Sequence, residues 1–423
     1  MPDFKEYFLQ HVWKYQLFEK QHLKSSNGQG VSIIKTGHWN PNAGPDFLNA
    51  EVIVDRLKWY GSVEVHIKAS DWQRHAHDND KNYNNVILHV VWVDDVLSPS
   101  MPTLELKGRI PEHYIANYDK LVKSNNTIPC ARQFAAVNSI YKTEMLERAF
   151  FQRVSRKSTL IQQNLAKYNG DWEQVAYHMI LKNFGFHVNE EAFAQIAEHL
   201  PIKILAKHRD QIMQVEALLM GVSGLLVGSS GDAYYMKMRE EYLYFKAKYV
   251  LDEIHIPLKF LRLRPANFPT VRLSQFADLV VRQSHLFSLF NDTSDYLKLA
   301  HQLKCRQSSY WQKHYVFGKA AETEVPYMGK SSIDLLLINT LVPLLITYAQ
   351  VRSEDMDMVH RALQILHQIK PEVNHKTKVW QDVGFIPSNS YDSQALIEWL
   401  DAFCTQKKCL DCSIGLQILK LRS

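Results

Sequence analysis

The sequence has few of the features that mark specialised classes of protein. Five cysteines in 423 residues are too few for a disulfide-rich scaffold and, in a reducing compartment, fit free thiols or metal ligands better. No repeat of fixed period is evident. Lysine and arginine total 49 against 44 for aspartate and glutamate, and the resulting net charge of +5 permits a nucleic-acid partner without demanding one.

Long uninterrupted apolar runs are also scarce. Residues 333–349 form the most apolar window, but Asp334, Asn339 and Pro343 leave it short of the roughly 20 apolar residues that span a bilayer. We predict a buried helix with a break there, and no membrane partner. The N-terminus has no basic segment followed by an apolar core, so we expect no signal peptide and a cytoplasmic location.

Three common catalytic or nucleotide-binding motifs are missing as well. The chain has no Walker loop, no G-x-G-x-x-G after a predicted strand and no G-x-S-x-G elbow. ATPase, dinucleotide-dependent and α/β-hydrolase functions therefore have little support. What the chain has is an ordinary globular composition, with 46% hydrophobic and 22% charged residues, which is enough to bury a large core.

The pattern of apolar residues changes near Pro129. Before it, apolar and β-branched residues alternate in five segments that predict strands, namely residues 31–36, 50–55, 61–68, 86–93 and 104–110. Residues 4–23 have helical spacing instead, and nearly every segment after Pro129 predicts a helix, with residues 172–184 among the clearest. We therefore predict an α+β fold: a mixed or antiparallel sheet with a packed helix over residues 1–130, followed by an all-α domain over residues 131–423 that ends in a cysteine-bearing tail.

Chemically useful residue types are densest between residues 37 and 89. Glu64, His66 and Lys68 are spaced i, i+2, i+4 and therefore share one face of a predicted strand. Asp46 follows a Gly-Pro turn and enters another strand. Carboxylates from two adjacent strands suit Mg²⁺ or Mn²⁺, which accept oxygen ligands. Further candidates for the same cleft are His38, Asn40, His75, His77, Asp80, Tyr83 and His89.

A Pro-Asp pair ending at Asp46, followed by Glu64-x-His66, resembles the core of PD-(D/E)XK nucleases. In that family a helix precedes a small sheet that carries Pro-Asp and then an acid-x-Lys motif. The resemblance implies that Asp46 and Glu64 bind the metal and that His66 or Lys68 assists the attacking water. A helix acid such as Glu6 would complete the site. His66 stands where the family has lysine, so the third motif is only partly matched.

Nearly the whole chain also resembles an uncharacterised bacterial family, domain of unknown function 2851. The resemblance rests on residues 38–40, 44–47, 63–66, 71–72, 75–77, 88–90 and 264–269, together with the cysteine-bearing tail. It implies no known activity. The function therefore has to be argued from the site.

The histidines permit a second interpretation. His75 and His77, if they lie on a strand, would point both rings to one side and could hold a transition metal. Other donors of the same stretch would then complete the site, namely His66, Asp80 and His89. In the structural alternative, His89 is a hydrogen-bonded core residue and the other two lie on a polar loop. The two carboxylates have a structural alternative as well, in which one caps a turn and one pairs with Lys68.

The tail places three cysteines within nine positions: Cys404, Cys409 and Cys412. Clustered thiolates of this kind bind zinc or an iron–sulfur cluster, and Cys130 is the candidate for a fourth ligand. A metal there would be structural. The alternative is that these are ordinary buried thiols.

Basic residues cluster along one predicted helix, namely Arg148, Arg153, Arg156 and Lys157. Interleaved with aromatic residues, they would suit a nucleic-acid backbone. The alternative is a solvated charged face.

These features together favour a divalent-metal-dependent nuclease, which hydrolyses phosphodiester bonds. The alternative is a non-catalytic module in which a degenerate nuclease core binds nucleic acid or a protein. A third hypothesis is a hydrolase whose transition metal is held by the histidines. The first two differ in whether Asp46 and Glu64 converge or are each held in a structural pair.

Overall fold

The structure of the chain, a computed structural model, describes residues 4–96, 101–252, 256–291, 295–352 and 356–422. Its fold class is α+β, as predicted, with a sheet in the N-terminal part and helices through most of the rest. The chain forms two compact units: residues 1–147, 379–385 and 399–423, and residues 148–378 and 386–398. The domain boundary at residue 130 stays a prediction, because packing within one folded chain does not test which segment folds by itself.

The first unit is built on a mixed sheet. Its strands are β1 (Val31–Lys35), β2 (His38–Trp39), β3 (Phe47–Val54), β4 (Leu57–Lys68), β5 (Val86–Val93) and β6 (Thr103–Glu105). The order is β1-β3-β4-β5-β6, with β2 also paired to β3. The first four strands pair antiparallel, whereas β5 is parallel to β4 and β6 is parallel to β5.

Helices account for most of the remaining described residues. In chain order they are α1 (Glu6–Lys14), α2 (Asp71–Arg74), α3 (Glu112–Val122), α4 (Ala131–Phe134), α5 (Ser139–Lys167), α6 (Trp172–Phe184), α7 (Glu190–His199), α8 (Ile202–Leu205), α9 (Ile212–Val222), α10 (Ala233–Tyr249), α11 (Pro269–Arg282), α12 (Ser288–Asn291), α13 (Tyr296–Gln302), α14 (Lys330–Leu336), α15 (Val342–Val351), α16 (Met356–Gln368), α17 (His375–Asp382), α18 (Ser390–Trp399) and α19 (Ser413–Lys420). Two π-helical segments, Leu337–Leu341 and Leu400–Cys404, continue α14 and α18.

Helix α1 is shorter than the predicted helix over residues 4–23. Its apolar face, with Phe8, Val12 and Trp13 at helical spacing, is fully buried and packs on β4 and β5. The helix ends just before Gln16, whose φ of 50° is left-handed and cannot continue a right-handed helix. The polar side of α1 therefore lies beside one end of the sheet rather than along its whole length.

The second unit is helical, as predicted, with one exception. Helix α6 begins and ends at the predicted residues, and the Asp171 carboxylate caps it by accepting the Gln174 N–H at 3.1 Å. A short hairpin of strands β7 (His314–Val316) and β8 (Lys319–Ala320) was not predicted. The region predicted to be all-α therefore also contains a two-stranded sheet.

The most apolar segment of the chain, Lys330–Val351, is continuous. The predicted break is a π-helical turn between α14 and α15, just before Pro343. Proline has no N–H to donate, and a π turn accommodates it without ending the helix. By length and composition the segment could cross a membrane, but 72% of its most apolar window is buried inside the protein, as in a core helix.

Candidate functional site

Strands β3 and β4 bring the two predicted carboxylates together. Phe47 pairs with Val63 in the antiparallel register, so Asp46 and Glu64 are neighbours just beyond that pair. The Asp46 N–H donates to Glu64 Oε2 at 3.0 Å, and the Val65 N–H donates to Asp46 Oδ2 at 3.1 Å. The sheet register therefore joins two side chains that are 18 positions apart in the sequence.

Helix α1 adds a row of polar side chains to these carboxylates. Glu6, Gln10 and Lys14 are four residues apart and share one face of the helix. Gln10 Nε2 donates to Asp46 Oδ1 at 2.8 Å, and Glu6 Oε1 lies 3.7 Å from His66 Nε2. The nuclease resemblance suggested Glu6, whereas the sequence analysis missed Gln10. The signal that could have found it is the spacing of four from Glu6.

Three histidines converge beside Glu64. Ring nitrogens of His66, His75 and His77 lie within 4.8 Å of one another, and we name these three residues the imidazole cluster. Glu64 Oε1 lies 3.4 Å from His66 Nε2 and 3.6 Å from His77 Nε2. One carboxylate oxygen thus faces two imidazoles, which is the donor set of a mixed nitrogen and oxygen metal site.

His75 and His77 lie outside the strands, as in the structural alternative and not as in the strand interpretation. His75 immediately follows the short helix α2, and His77 begins a 3₁₀ turn. Between them Ala76 has a left-handed backbone with φ of 56°, a conformation that costs roughly 1–2 kcal/mol for a residue with a Cβ. This turn, and not the pleat of a strand, brings the two rings to His66.

Neighbouring rings fix the imidazole cluster in place. His66 Nδ1 lies 2.9 Å from His89 Nε2, and His66 Nε2 lies 3.2 Å from His75 Nδ1. Tyr83 stacks on His77 with ring centroids 3.8 Å apart. Partners of this kind orient imidazoles that bind metals. His89 and Tyr83, both predicted for the cleft, therefore contact the cluster.

The carboxyl groups of Glu6, Asp46 and Glu64, which we name the carboxylate cluster, share a largely buried site. Burial, followed by the charge of Asp46, raises the pKa of Glu6 to about 7 and the pKa of Glu64 to about 9. Burial also raises the pKa of Asp46 to about 6, against the hydrogen bonds from Gln10 and Val65. A nearby cation would favour the charged form of all three carboxyls.

Burial acts on the imidazoles in the opposite direction. It lowers the pKa of His66 to about 2 and the pKa of His89 to about 4, and it also lowers the pKa of His77. These three rings are therefore neutral at neutral pH, and a neutral imidazole offers a nitrogen lone pair. This is the protonation state that metal binding requires.

Four predicted site residues make local contacts in the structure: His38, Asn40, Lys68 and Asp80. Asn40 Nδ2 donates to the Pro45 carbonyl at 3.0 Å and so braces the turn before the carboxylate cluster. The Lys68 N–H donates to Asp71 Oδ2 at 3.1 Å. The Asp80 carboxylate accepts a hydrogen bond from a backbone N–H of its own turn. His38, on β2, pairs with β3 through its backbone.

An exposed tryptophan lies next to the site. Trp39 of β2 pairs with Phe47, the residue after Asp46, and is 44% exposed. Lys14 Nζ lies 5.9 Å from the ring centroid of Trp39 and 5.3 Å from that of Tyr15. An aromatic face with an adjacent cation is a combination that binds nucleic-acid bases and phosphates.

The four cysteines predicted to share a site line one cavity of the first unit: Cys130, Cys404, Cys409 and Cys412. All four are buried. Cys305, the fifth cysteine, is also buried but belongs to the second unit. Burial raises the pKa of Cys404 well above its ordinary value, and the three neighbouring thiols raise it further.

The basic residues predicted to bind nucleic acid all lie on helix α5: Arg148, Arg153, Arg156 and Lys157. Arg153 and Arg156 both pair with Glu398, at 3.5 and 2.7 Å. Lys157 Nζ donates to Asn339 Oδ1 at 2.7 Å. These contacts give at least three of the four residues a structural role in the second unit, and nucleic-acid binding by this helix stays a prediction.

Comparison with known proteins yields a family but no activity. A family model described as protein of unknown function (DUF2851) matches residues 6–375. The carboxylate and imidazole clusters lie within the matched segment, and the three tail cysteines lie beyond it. No curated protein and no solved structure matches the chain. Because the family model matches most of its length, the chain belongs to the DUF2851 family.

Proposed function

We propose that this chain is a divalent-metal-dependent phosphodiesterase that cleaves nucleic acid. The proposal is carried by the position of Glu64, whose carboxylate lies beside Asp46 and 3.4 Å from His66 Nε2. Oxygen and nitrogen ligands for a divalent metal therefore meet at one point. A metal ion there would lower the pKa of a bound water and stabilise the charge that develops on a phosphate under attack.

Mn²⁺ suits this donor set better than Mg²⁺. Carboxylates bind both ions, but Mg²⁺ prefers oxygen ligands in near-ideal octahedral geometry, whereas imidazole suits transition metals. The imidazole cluster therefore shifts the preference towards a transition metal. The third hypothesis, a hydrolase whose transition metal is held by histidines, would correspond here to zinc bound by the imidazole cluster.

The order of the elements also supports a nuclease core. Helix α1 precedes the sheet, a Pro-Asp pair opens β3, and Glu64-x-His66 lies on β4, the antiparallel neighbour of β3. This is the order that the nuclease resemblance implies. His66 takes the place of lysine, and its neutral ring can bind the metal.

Nucleic acid is the substrate class that the surroundings of the site favour. The row of polar residues on α1 runs from Glu6 at the imidazole cluster, past Gln10 at Asp46, to Lys14 beside the exposed Trp39. A base stacked on the tryptophan would bring its phosphates within reach of the lysine and of the carboxylate cluster.

The test is cleavage of labelled DNA and RNA, single- and double-stranded, by chelator-treated protein supplied with Mn²⁺, Mg²⁺ or Zn²⁺. We expect cleavage with Mn²⁺. Asp46→Asn and Glu64→Gln should each reduce the rate by more than about a hundredfold, since losing even an outer partner of a metal ligand costs about 10- to 100-fold. Glu105→Gln is the matched control, because Glu105 lies on β6, two strands away from β4, and should keep full activity. No cleavage with any of the three metals would contradict the proposal.

A non-catalytic binding module is the second candidate, and one observation favours it. Both carboxylate oxygens of Asp46 already accept hydrogen bonds, from Gln10 and from the Val65 N–H. Such a module would bind oligonucleotides in the presence of chelator without cleaving them. Trp39→Ala would then weaken binding by about 1–3 kcal/mol, the usual value of one stacked base. If neither binding nor cleavage is found, a protein is the better partner.

A further inference from the structure

Four buried cysteines from distant parts of the sequence surround a second candidate site. Cys130 precedes α4, whereas Cys404, Cys409 and Cys412 belong to the C-terminal segment. All four line the same small cavity in the first unit. None of them belongs to the carboxylate or imidazole cluster, so an inference about this cavity does not depend on the proposed function.

The tail presents its three cysteines from three different turns. Cys404 is the last residue of a π-helical segment, Cys409 begins a 3₁₀ turn, and Cys412 immediately precedes α19. π-helical turns are rare and frequently mark functional sites. Helix α19 packs so closely that a Cβ on Gly415 would lie 1.9 Å from the Cys409 carbonyl oxygen. Glycine is therefore required for the helix to approach the turn that carries Cys409.

We propose that these four cysteines bind a structural metal centre through four thiolates. Four cysteine ligands complete both a structural zinc site and an iron–sulfur cluster. Their sulfurs are not joined as disulfides. The other residues around the cavity are Pro129, Trp399, Phe403, Lys408 and Gly415. Most of them are apolar and would keep water away from a metal centre. The positive charge of Lys408 would offset the negative charge of the thiolates.

The centre would join the C-terminal tail to a segment that precedes it by most of the chain. A ligand that binds only the folded state stabilises that state. A metal centre with ligands at residues 130 and 404–412 can assemble only when both segments are in place. Lys407 Nζ already donates to the Val122 carbonyl at 2.5 Å, which holds the same two segments together without a metal.

The first experiment measures metal in the full-length protein, purified without oxygen and without added metal. We expect about one zinc per chain, or iron and acid-labile sulfide in about equal amounts. Iron with sulfide identifies a cluster and supports the four-thiolate centre. Zinc alone supports it when the zinc is lost in Cys409→Ser, because the imidazole cluster is a second place that zinc can bind. If zinc and iron are both below about a tenth of an equivalent per chain, the proposal is overturned.

The second experiment tests the ligands. Cys409→Ser should lower the bound metal at least about tenfold, whereas Cys305→Ser, which removes a buried thiol outside the cavity, should leave it unchanged. If Cys409→Ser does not fold, Cys130→Ser and chelator treatment of the wild type replace it, and both should lower the melting temperature. Unchanged metal content in Cys409→Ser and Cys130→Ser would overturn the proposal.

Discussion

At the residue scale, burial acts on the candidate site in two directions at once. It raises the pKa of Glu64 and lowers the pKa of His66, so both groups tend towards their neutral forms. Neutral groups lose less hydration on burial than charged ones. A divalent cation would favour the carboxylate form again. Glu64, which touches both clusters, is therefore the residue whose loss we expect to matter most.

A buried histidine of the second unit gives a prediction on pH. His178 is 4% exposed, and its Nδ1 lies 2.9 Å from the Tyr168 hydroxyl. Burial, partly offset by Glu198, lowers its pKa to about 4. The unfolded chain takes up this proton near pH 6.5 and the folded chain only near pH 4. The free energy of unfolding should therefore fall as the pH decreases between these values, by up to about 3 kcal/mol.

Denaturant unfolding of the wild type and of His178→Gln at about pH 7 and about pH 5 measures this contribution. The variant should lose less stability than the wild type between the two values, because its side chain takes up no proton. His360→Gln removes an exposed histidine and should behave like the wild type. An equal loss in the wild type and in His178→Gln would contradict the assignment.

At the scale of secondary-structure elements, irregular turns position both candidate sites. The left-handed Ala76 between α2 and the following 3₁₀ turn brings His75 and His77 to the same place. The π-helical segment after α18 ends at Cys404, which lines the cysteine cavity. Regular helices and strands form the scaffold, whereas these irregular turns bring the side chains of each site together.

The cap of helix α6 gives a prediction at this scale. The Asp171 carboxylate accepts the Gln174 N–H and also lies 2.9 Å from Lys203 Nζ. Asp171→Ala should lower the free energy of unfolding by about 1 kcal/mol, because an N–H of the first turn loses its partner. Asp171→Asn keeps a capping oxygen and should lose less. Denaturant unfolding compares the two variants, and equal losses would show that the ion pair, not the cap, is what matters.

At the scale of the whole molecule, the C-terminus completes the N-terminal unit. Residues 399–423 belong to the same compact unit as the sheet. Asn117 Nδ2 donates to the carbonyls of Ile418 and Leu421, at 3.0 and 2.8 Å, and the Tyr7 hydroxyl donates to Asp411. The first unit therefore cannot be complete until the end of the chain has been made.

Truncation tests this arrangement. Removing residues 399–423 should make the first unit sensitive to limited proteolysis, since it exposes apolar surface and leaves buried polar groups such as the Asn117 amide without partners. Removing only residues 422–423 is the control and should have no effect. Asn117→Ala should give a milder loss of about 1–3 kcal/mol in the free energy of unfolding. Equal proteolysis of the truncated and full-length chains would mean that the tail is not part of the unit.

The sequence by itself determined the fold class and most of the helices. Period-two and period-3.6 spacing of apolar residues is a local property, and it predicted β5 and α6 at both ends. A turn residue and the alternation of β4, which are also local, marked Asp46 and Glu64 as candidates, but their convergence depends on the register between β3 and β4.

Only the tertiary structure decided which donors meet. Gln10, the imidazole cluster and the contact of Glu64 with both kinds of ligand depend on helix packing, on sheet register and on one left-handed residue, none of which has a sequence period. Likewise, the sequence showed four cysteines but not that Cys130 and the tail line one cavity. Contacts between distant segments depend on how whole elements pack. That packing is determined by the energy of the complete fold and not by any local pattern in the sequence.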